Sequence, residues 1–123
     1  MEIVYWIAVA LLGVLYVYAG GAKLVRSREQ LLPLMQWVQD TPMPAVRAIG
    51  AIELTGVAGL VLPPLLGIAP WLALAAAIGF VLLQLFATRV HLARGEGLAG
   101  IGINLVLIVL ALAAIAAWLG SDW

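Results

Sequence analysis

Residues 98–119 read LAGIGINLVLIVLALAAIAAWL, and this stretch contains no charged side chain. An apolar run of this length can cross the hydrocarbon core of a bilayer, which takes about 20 helical residues. No water is present in that core to satisfy backbone N–H and C=O groups, so the segment must be helical. The stretch therefore predicts an integral membrane protein rather than a soluble domain.

Three further apolar runs precede this one. We therefore expect an all-α integral membrane bundle of four transmembrane helices, a single domain over residues 1–123, with spans at approximately 3–24, 44–62, 71–90 and 98–119. Glu2 stands where a signal peptide would carry basic residues, which favours a retained first helix. Pro63-Pro64 is expected to end the second span, so that 63–70 closes a tight antiparallel hairpin.

The linker between the first two spans has a helical pattern of its own. Ser27-Arg28-Glu29-Gln30 has the form of a capping box. Apolar residues then recur at helical spacing up to Val38, and Pro42 is expected to end the segment. The pattern predicts a short helix lying in the membrane interface between spans one and two.

Composition excludes several classes of function. The 123 residues are 66% hydrophobic and 10% charged, against about 25% charged in an average soluble domain. Six basic and six acidic residues balance, so no basic field indicates nucleic acid as a partner. The chain has no cysteine for thiol chemistry and one histidine, which argues against a metal site within the chain. No phosphate loop, dinucleotide fingerprint or haem-attachment motif is present, so no cofactor is evident.

The basic residues predict the orientation in the membrane. All six flank the first and third linkers: Lys23, Arg26, Arg28, Arg47, Arg89 and Arg94. The positive-inside rule would place these linkers in the cytoplasm and both termini outside, in what we expect to be a bacterial cytoplasmic membrane. The tryptophans agree, because four of them would lie at the outer interface and Trp37 at the inner one.

One hydrogen-bonding side chain lies at a similar depth in each span. At about 1.5 Å per residue, Glu53 lies roughly 13 Å from the end of its span nearest the basic residues. Tyr16, Gln84 and Asn104 lie roughly 9–10 Å from the same end of theirs. Polar groups at such depth are costly, at about 2.5–3.5 kcal/mol for a charge on insertion scales. We therefore predict a polar layer formed by these four residues.

The polar layer suggests candidate site residues. Glu53 is the candidate general acid or base, and Lys23 and His91, at the rim, are candidate assistants. Tyr16, Gln84, Asn104 and Thr88 are candidate ligand-binding residues, since Thr88 lies on the helical face of Gln84 and His91. No metal site is expected.

Each candidate also has a structural interpretation. Glu53 is either a functional residue or a structural one. As a structural residue it would be paired with Lys23, or neutral and hydrogen-bonded to Asn104 or Gln84. Lys23 either pairs with Glu53 or extends to the interface. Gln84 and Asn104 are equally well explained as hydrogen bonds that hold helices together. His91, next to Arg89 and Arg94, is more simply an interfacial side chain than a ligand.

Several motifs together resemble the DoxX-like family of small four-helix membrane proteins. They are Ala19-Gly20-Gly21-Ala22-Lys23-Leu24, Ile49-Gly50-Ala51-Ile52-Glu53-Leu54-Thr55-Gly56, Gly59-Leu60, Pro63-Pro64, Gly67-Ile68-Ala69-Pro70 and the linker from His91 to Glu96. The resemblance covers nearly the whole chain. It matches the family pattern at Lys23 and Glu53, and less closely at His91 and Asn104.

The resemblance implies a four-helix membrane bundle and association with membrane redox complexes. Some members are small subunits of a thiosulfate:quinone oxidoreductase, and distant relatives assist receptor assembly. In such a redox role a quinone would be the cofactor and a redox subunit would be the protein partner. Small bundles with little outer surface also commonly associate, so a second copy of the chain is an alternative partner. The resemblance implies no agreed catalytic residues.

Four functions fit the sequence. The first is a redox-associated, quinone-linked subunit that holds a lipophilic ligand at the polar layer. The second is a small membrane enzyme, of isomerase or hydrolase type, that uses Glu53 on a lipophilic substrate. The third is a proton-coupled transporter of small molecules, and the fourth is a non-catalytic assembly factor. The lipid bilayer is the one partner common to all four.

Overall fold

The described residues form five α-helices and one 3-10 helix, joined by short linkers. A computed structural model describes residues 2–123, apart from the side chain of Ala99. The helices are α1 (Glu2–Val25), α2 (Arg28–Leu31), a 3-10 helix (Gln36–Asp40), α3 (Met43–Leu66), α4 (Trp71–Ala93) and α5 (Gly97–Leu119). Four of them, α1, α3, α4 and α5, are long and apolar enough to cross a membrane, which confirms the predicted all-α four-span architecture.

The four long helices form a ring in which each packs against two neighbours. Helix α1 lies between α3 and α5, and α4 lies between α3 and α5 on the opposite side. The core between them holds Tyr5 and Leu12 of α1, and alanines such as Ala77 and Ala111 let α4 and α5 approach closely. Large apolar side chains cover the outside of the ring, as expected of a surface that faces lipid.

Helix α3 does not end at Pro63-Pro64, so that expectation was wrong. The helix continues to Leu66 and ends at Gly67, which has a φ of 68°. A proline at position 64 cannot donate to the carbonyl of residue 60, which would normally destabilise the helix. The Tyr5 hydroxyl of α1 donates to the Leu60 carbonyl at 2.5 Å and so satisfies the oxygen that Pro64 leaves free.

The short helix predicted between the first two spans is present but divided. Ser27 and Gln30 form the expected capping box at the start of α2. Helix α2 ends at Leu31, because Pro33 has no N–H with which to continue it, and the chain resumes as the 3-10 helix. Arg28 holds the segment folded, since its guanidinium donates to the carbonyls of Val38 at 2.5 Å and Thr41 at 3.1 Å.

The two charged linkers lie at one end of the bundle, which we call the charged end. Arg94, after α4, forms an ion pair with Asp40 of the first linker and donates to the Gln36 carbonyl at 3.3 Å. At the other end, the aromatic end, Trp118 donates to the Pro70 carbonyl at 3.2 Å. The rings of Tyr5, Trp6 and Trp123 pack edge to face there.

Candidate functional site

Two glycines bring α1 and α3 into close contact near the charged end. A Cβ added to Gly50 would lie 2.7 Å from the Gly20 carbonyl oxygen and 2.9 Å from the Lys23 Cβ. A Cβ added to Gly20 would lie 3.3 Å from the Glu53 Cβ. Glycine at both positions therefore lets the two backbones approach closely enough for the side chains of Lys23, which faces Gly50, and Glu53, which faces Gly20, to meet.

At this crossing Lys23 and Glu53 form a buried ion pair. The Lys23 Nζ donates to the Glu53 Oε1 at 2.5 Å. The residues are only 6% and 3% exposed, so neither charge is solvated by water. Lys23 therefore pairs within the bundle and does not extend to the interface, and the pair compensates two charges that would each be costly alone.

The first linker covers the ion pair from the charged end. The Lys23 Nζ lies 5.9 Å from the centre of the Trp37 ring, within cation–π range. Leu31 and Val38 of the linker pack with Val46 of α3 in a small apolar cluster. Arg47 donates to the carbonyls of Lys23 and Arg26 at 2.6 Å each, which satisfies free carbonyls at the end of α1.

Three other members of the predicted polar layer form a hydrogen-bonded chain across the bundle, which we call the amide chain. The Asn104 Nδ2 of α5 donates to the Gln84 Oε1 of α4 at 2.7 Å. The Gln84 Nε2 donates to the Tyr16 hydroxyl of α1, also at 2.7 Å. All three residues are buried, and the chain joins three of the four spans.

The amide chain has unused hydrogen-bonding capacity at both ends. The Asn104 Oδ1 is buried and has no donor among the residues that the structure describes. Within those same residues, the Tyr16 hydroxyl accepts from Gln84 but has no acceptor for its own hydrogen. Buried polar groups are rarely left unpaired, so both ends are candidate contacts for a ligand.

The amide chain lies beside the ion pair without being bonded to it. Tyr16 lies one turn before Gly20 on α1, and a Cβ added to Gly20 would lie 3.3 Å from the Glu53 Cβ, so the two parts adjoin. The only hydrogen bond to the Glu53 carboxylate within the described residues comes from Lys23. The predicted layer is therefore present as two adjoining parts, a charged pair between α1 and α3 and an uncharged chain across α1, α4 and α5.

The remaining two candidates lie outside both parts. The Thr88 hydroxyl donates to the Gln84 backbone carbonyl at 2.7 Å, a bond within its own helix. The His91 Nδ1 lies 3.0 Å from the Glu96 Oε1, and Arg94 bonds the other oxygen of Glu96 at 3.2 Å. The structure therefore places His91 in the last turn of α4, where its ring contacts Glu96 of the following linker, and not beside Glu53.

Two aromatic residues at the site were not anticipated from the sequence. The Phe80 ring stacks on Tyr16 with centroids 4.0 Å apart and planes 15° from parallel. The sequence predicts Trp37 at the inner interface and gives no sign that its ring lies near Lys23. Their positions depend on how the helices and linker pack against one another, and helical periodicity carries no information about that.

A comparison with known families decides the identity of the chain. The model of the DoxX-like family matches residues 7–114. The chain belongs to the DoxX-like family. No curated protein and no solved structure matches this DoxX-like chain.

The family match covers both parts of the polar layer in this DoxX-like protein, since residues 7–114 include most of α1 and α5 and all of α3 and α4. Within the described residues, no group of three histidine, aspartate or glutamate side chains converges in a way that could hold a metal ion. The described side chains of the polar layer offer hydrogen bonds in the amide chain and a pair of opposite charges at Lys23 and Glu53. The hydrogen-bonding part is the one with free donors and acceptors.

Proposed function

We propose that this DoxX-like protein is a quinone-linked membrane subunit that holds a lipophilic ligand at its polar layer, alongside a partner redox subunit. The observation that carries the proposal is that the amide chain has an unpaired group at each end. Among the described residues, the buried Asn104 Oδ1 has no donor and the Tyr16 hydroxyl has no acceptor. A ligand that bonds both ends of the amide chain forms two hydrogen bonds in an apolar environment. The family resemblance supports the redox association.

The side chains present fit a quinone headgroup. A quinone oxygen accepts hydrogen bonds, and the Tyr16 hydroxyl is a donor with no acceptor among the described residues. In the reduced form that oxygen carries a hydrogen, for which the Asn104 Oδ1 is a free acceptor. A bound quinone would supply electron and proton transfer, and the protein would bind it and exclude water.

Glu53 and Lys23 act in this proposal as a fixed pair of charges beside the ligand. Because each compensates the other at 2.5 Å, neither is free to exchange protons with a substrate unless the pair opens. This geometry supports the acid–base mechanism with Glu53 less well than it supports a ligand-binding subunit. It also favours, as a second candidate, an assembly subunit in which the pair only fixes the packing of α1 on α3.

A pair of matched tyrosine variants tests the proposed function. Tyr16→Phe removes the hydroxyl at the amide chain and keeps the ring on Phe80, whereas Tyr18→Phe removes a hydroxyl from a side chain that is 57% exposed on the outside. We expect decylubiquinone to raise the melting temperature of the wild-type protein and of Tyr18→Phe. The rise should be strongly reduced in Tyr16→Phe and Asn104→Leu.

The result that contradicts the proposal is equally specific. If decylubiquinone and its reduced form leave the melting temperature of the wild-type protein unchanged, the quinone-linked function is wrong and the assembly role is favoured. Equal shifts in all the variants would place the binding of quinone elsewhere on the protein.

The proposed orientation places the charged end in the cytoplasm. It rests on the six basic residues at that end and on the positive-inside rule. Single cysteines introduced at Ser27 and Ser121, in a chain that has no cysteine of its own, provide the test. In intact cells an impermeant maleimide should label Ser121→Cys and not Ser27→Cys, and the reverse pattern would overturn the orientation.

A further inference from the structure

Two grooves run along the apolar outside of the bundle. One, of about 670 Å³, lies between α1 and α3 and is lined by residues that include Trp6, Gly13 and Val17. The other, of about 540 Å³, lies between α3 and α4 and is lined by residues that include Gly79 and Phe80. Both are open to the side, where lipid would surround the protein. The two grooves differ in whether a residue that lines them contacts the polar layer.

Phe80 forms the part of the α3–α4 groove that borders the polar layer. Its ring is stacked on Tyr16 at 4.0 Å between centroids. The outer edge of the ring lies against Gly56, where an added Cβ would meet the Phe80 Cζ and would be 2.9 Å from the Cε2. Glycine at position 56 therefore leaves room for the ring, and the ring is the layer of atoms between this groove and Tyr16.

The α1–α3 groove has no such connection. No member of the amide chain or of the ion pair is among the residues that line it. Its tyrosine, Tyr18, is 57% exposed on the outer face of α1, two residues away from Tyr16 and on a different side of the helix. A molecule lying in the larger groove would therefore not meet the polar layer.

We propose that the α3–α4 groove holds the apolar tail of the lipophilic ligand and that its polar head reaches Tyr16 past the Phe80 ring. This inference rests on the proposed function and specifies the ligand as a long-chain lipophile with a small polar head. The groove is lined by small residues of both helices, including Gly59 and Ala76, so a linear chain can lie along it. The ligand would enter from the bilayer at the side, without crossing the charged end.

A matched pair of glycine variants tests which groove is used. A Cβ added to Gly79 meets nothing within 4 Å, and one added to Gly13 meets the Val57 Cγ1 at an ordinary 3.8 Å. A Cβ is therefore accommodated at either position, and we expect a leucine there to fill one groove while leaving the other open. The probe is a quinone with a diazirine in its tail, crosslinked to the full-length protein by light, with the labelled peptides read by mass spectrometry.

We expect labelling of α3 and α4 peptides in the wild-type protein. Gly79→Leu should reduce the labelling and weaken quinone binding at least tenfold, whereas Gly13→Leu should change binding less than twofold. Labelling of α1 peptides that is lost in Gly13→Leu and kept in Gly79→Leu would overturn the choice of groove and leave the proposed function standing. A wild-type protein that is neither labelled nor stabilised by the quinone would overturn both.

Discussion

The ion pair and the amide chain adjoin inside the bundle, yet they differ in how many of their hydrogen-bonding groups have a partner. Lys23 and Glu53 are bonded to each other at 2.5 Å, and Trp37 lies near the ammonium group. The amide chain ends in the unpaired oxygen of Asn104. The two buried charged residues therefore bond each other and hold α1 against α3. The uncharged residues are the ones that, in our proposal, bind the ligand.

Breaking the ion pair from one side should have the largest effect. Lys23→Met leaves the Glu53 carboxylate buried without a partner, and we expect a loss of about 3–5 kcal/mol in the free energy of unfolding in detergent. The double variant Lys23→Met/Glu53→Met leaves no buried charge and should recover most of that loss. Denaturation of the single and double variants measures both. A double variant less stable than Lys23→Met would show that the pair contributes more than mutual compensation.

The glycine crossing that positions the pair should be the next most sensitive feature. Gly50→Ala places a Cβ against the Gly20 carbonyl and the Lys23 side chain, and we expect a loss of about 1–3 kcal/mol in the free energy of unfolding. Gly21→Ala is the matched control, because a Cβ there meets nothing within 4 Å. It should leave stability unchanged or slightly increased, as alanine favours helix. Equal effects at the two positions would contradict the close crossing.

The amide chain should be less costly to interrupt, and its members should differ. Gln84→Leu removes the residue that bonds both neighbours, and we expect a loss of about 1–3 kcal/mol in the free energy of unfolding. Asn104→Leu removes one bond together with the unpaired oxygen and should cost less than about 1 kcal/mol. The same denaturation assay ranks the two. A larger loss at Asn104 than at Gln84 would mean that its oxygen is paired in the membrane-embedded protein.

The ion pair between the linkers should have the smallest effect. Asp40 is 69% exposed in its side chain, so Asp40→Ala is expected to change the free energy of unfolding by less than about 1 kcal/mol. High salt should remove most of this difference. A salt-independent loss of several kcal/mol would instead show that the contact between Arg94 and the linker supports the ion pair at Lys23.

The depth of each polar residue could be predicted from the sequence, because the rise per residue of a helix is fixed. That is why Tyr16, Gln84 and Asn104 were expected in one layer, and why the structure finds them in one chain. The four helices followed from the length of the apolar runs. These properties belong to single helices and do not depend on how the helices pack.

The features that could not be predicted depend on contacts between elements. Lys23 pairs with Glu53 because Gly20 and Gly50 bring α1 and α3 together, which a single helix does not reveal. Helix α3 continues through Pro64 because Tyr5, on another helix, bonds the carbonyl of Leu60. In the sequence Phe80 is one of many apolar residues, and only the packing of the helices shows that its ring stacks on Tyr16.

The central claim is that the amide chain, and not the ion pair alone, receives a lipophilic ligand. The most direct measurement is a mass-spectrometric and absorption survey of small molecules extracted from the native protein, run beside Asn104→Leu and Tyr18→Phe. We predict a quinone in the wild-type protein and in Tyr18→Phe, and its loss from Asn104→Leu. The absence of any lipophile from the wild-type protein, or equal amounts in all three, would contradict the account.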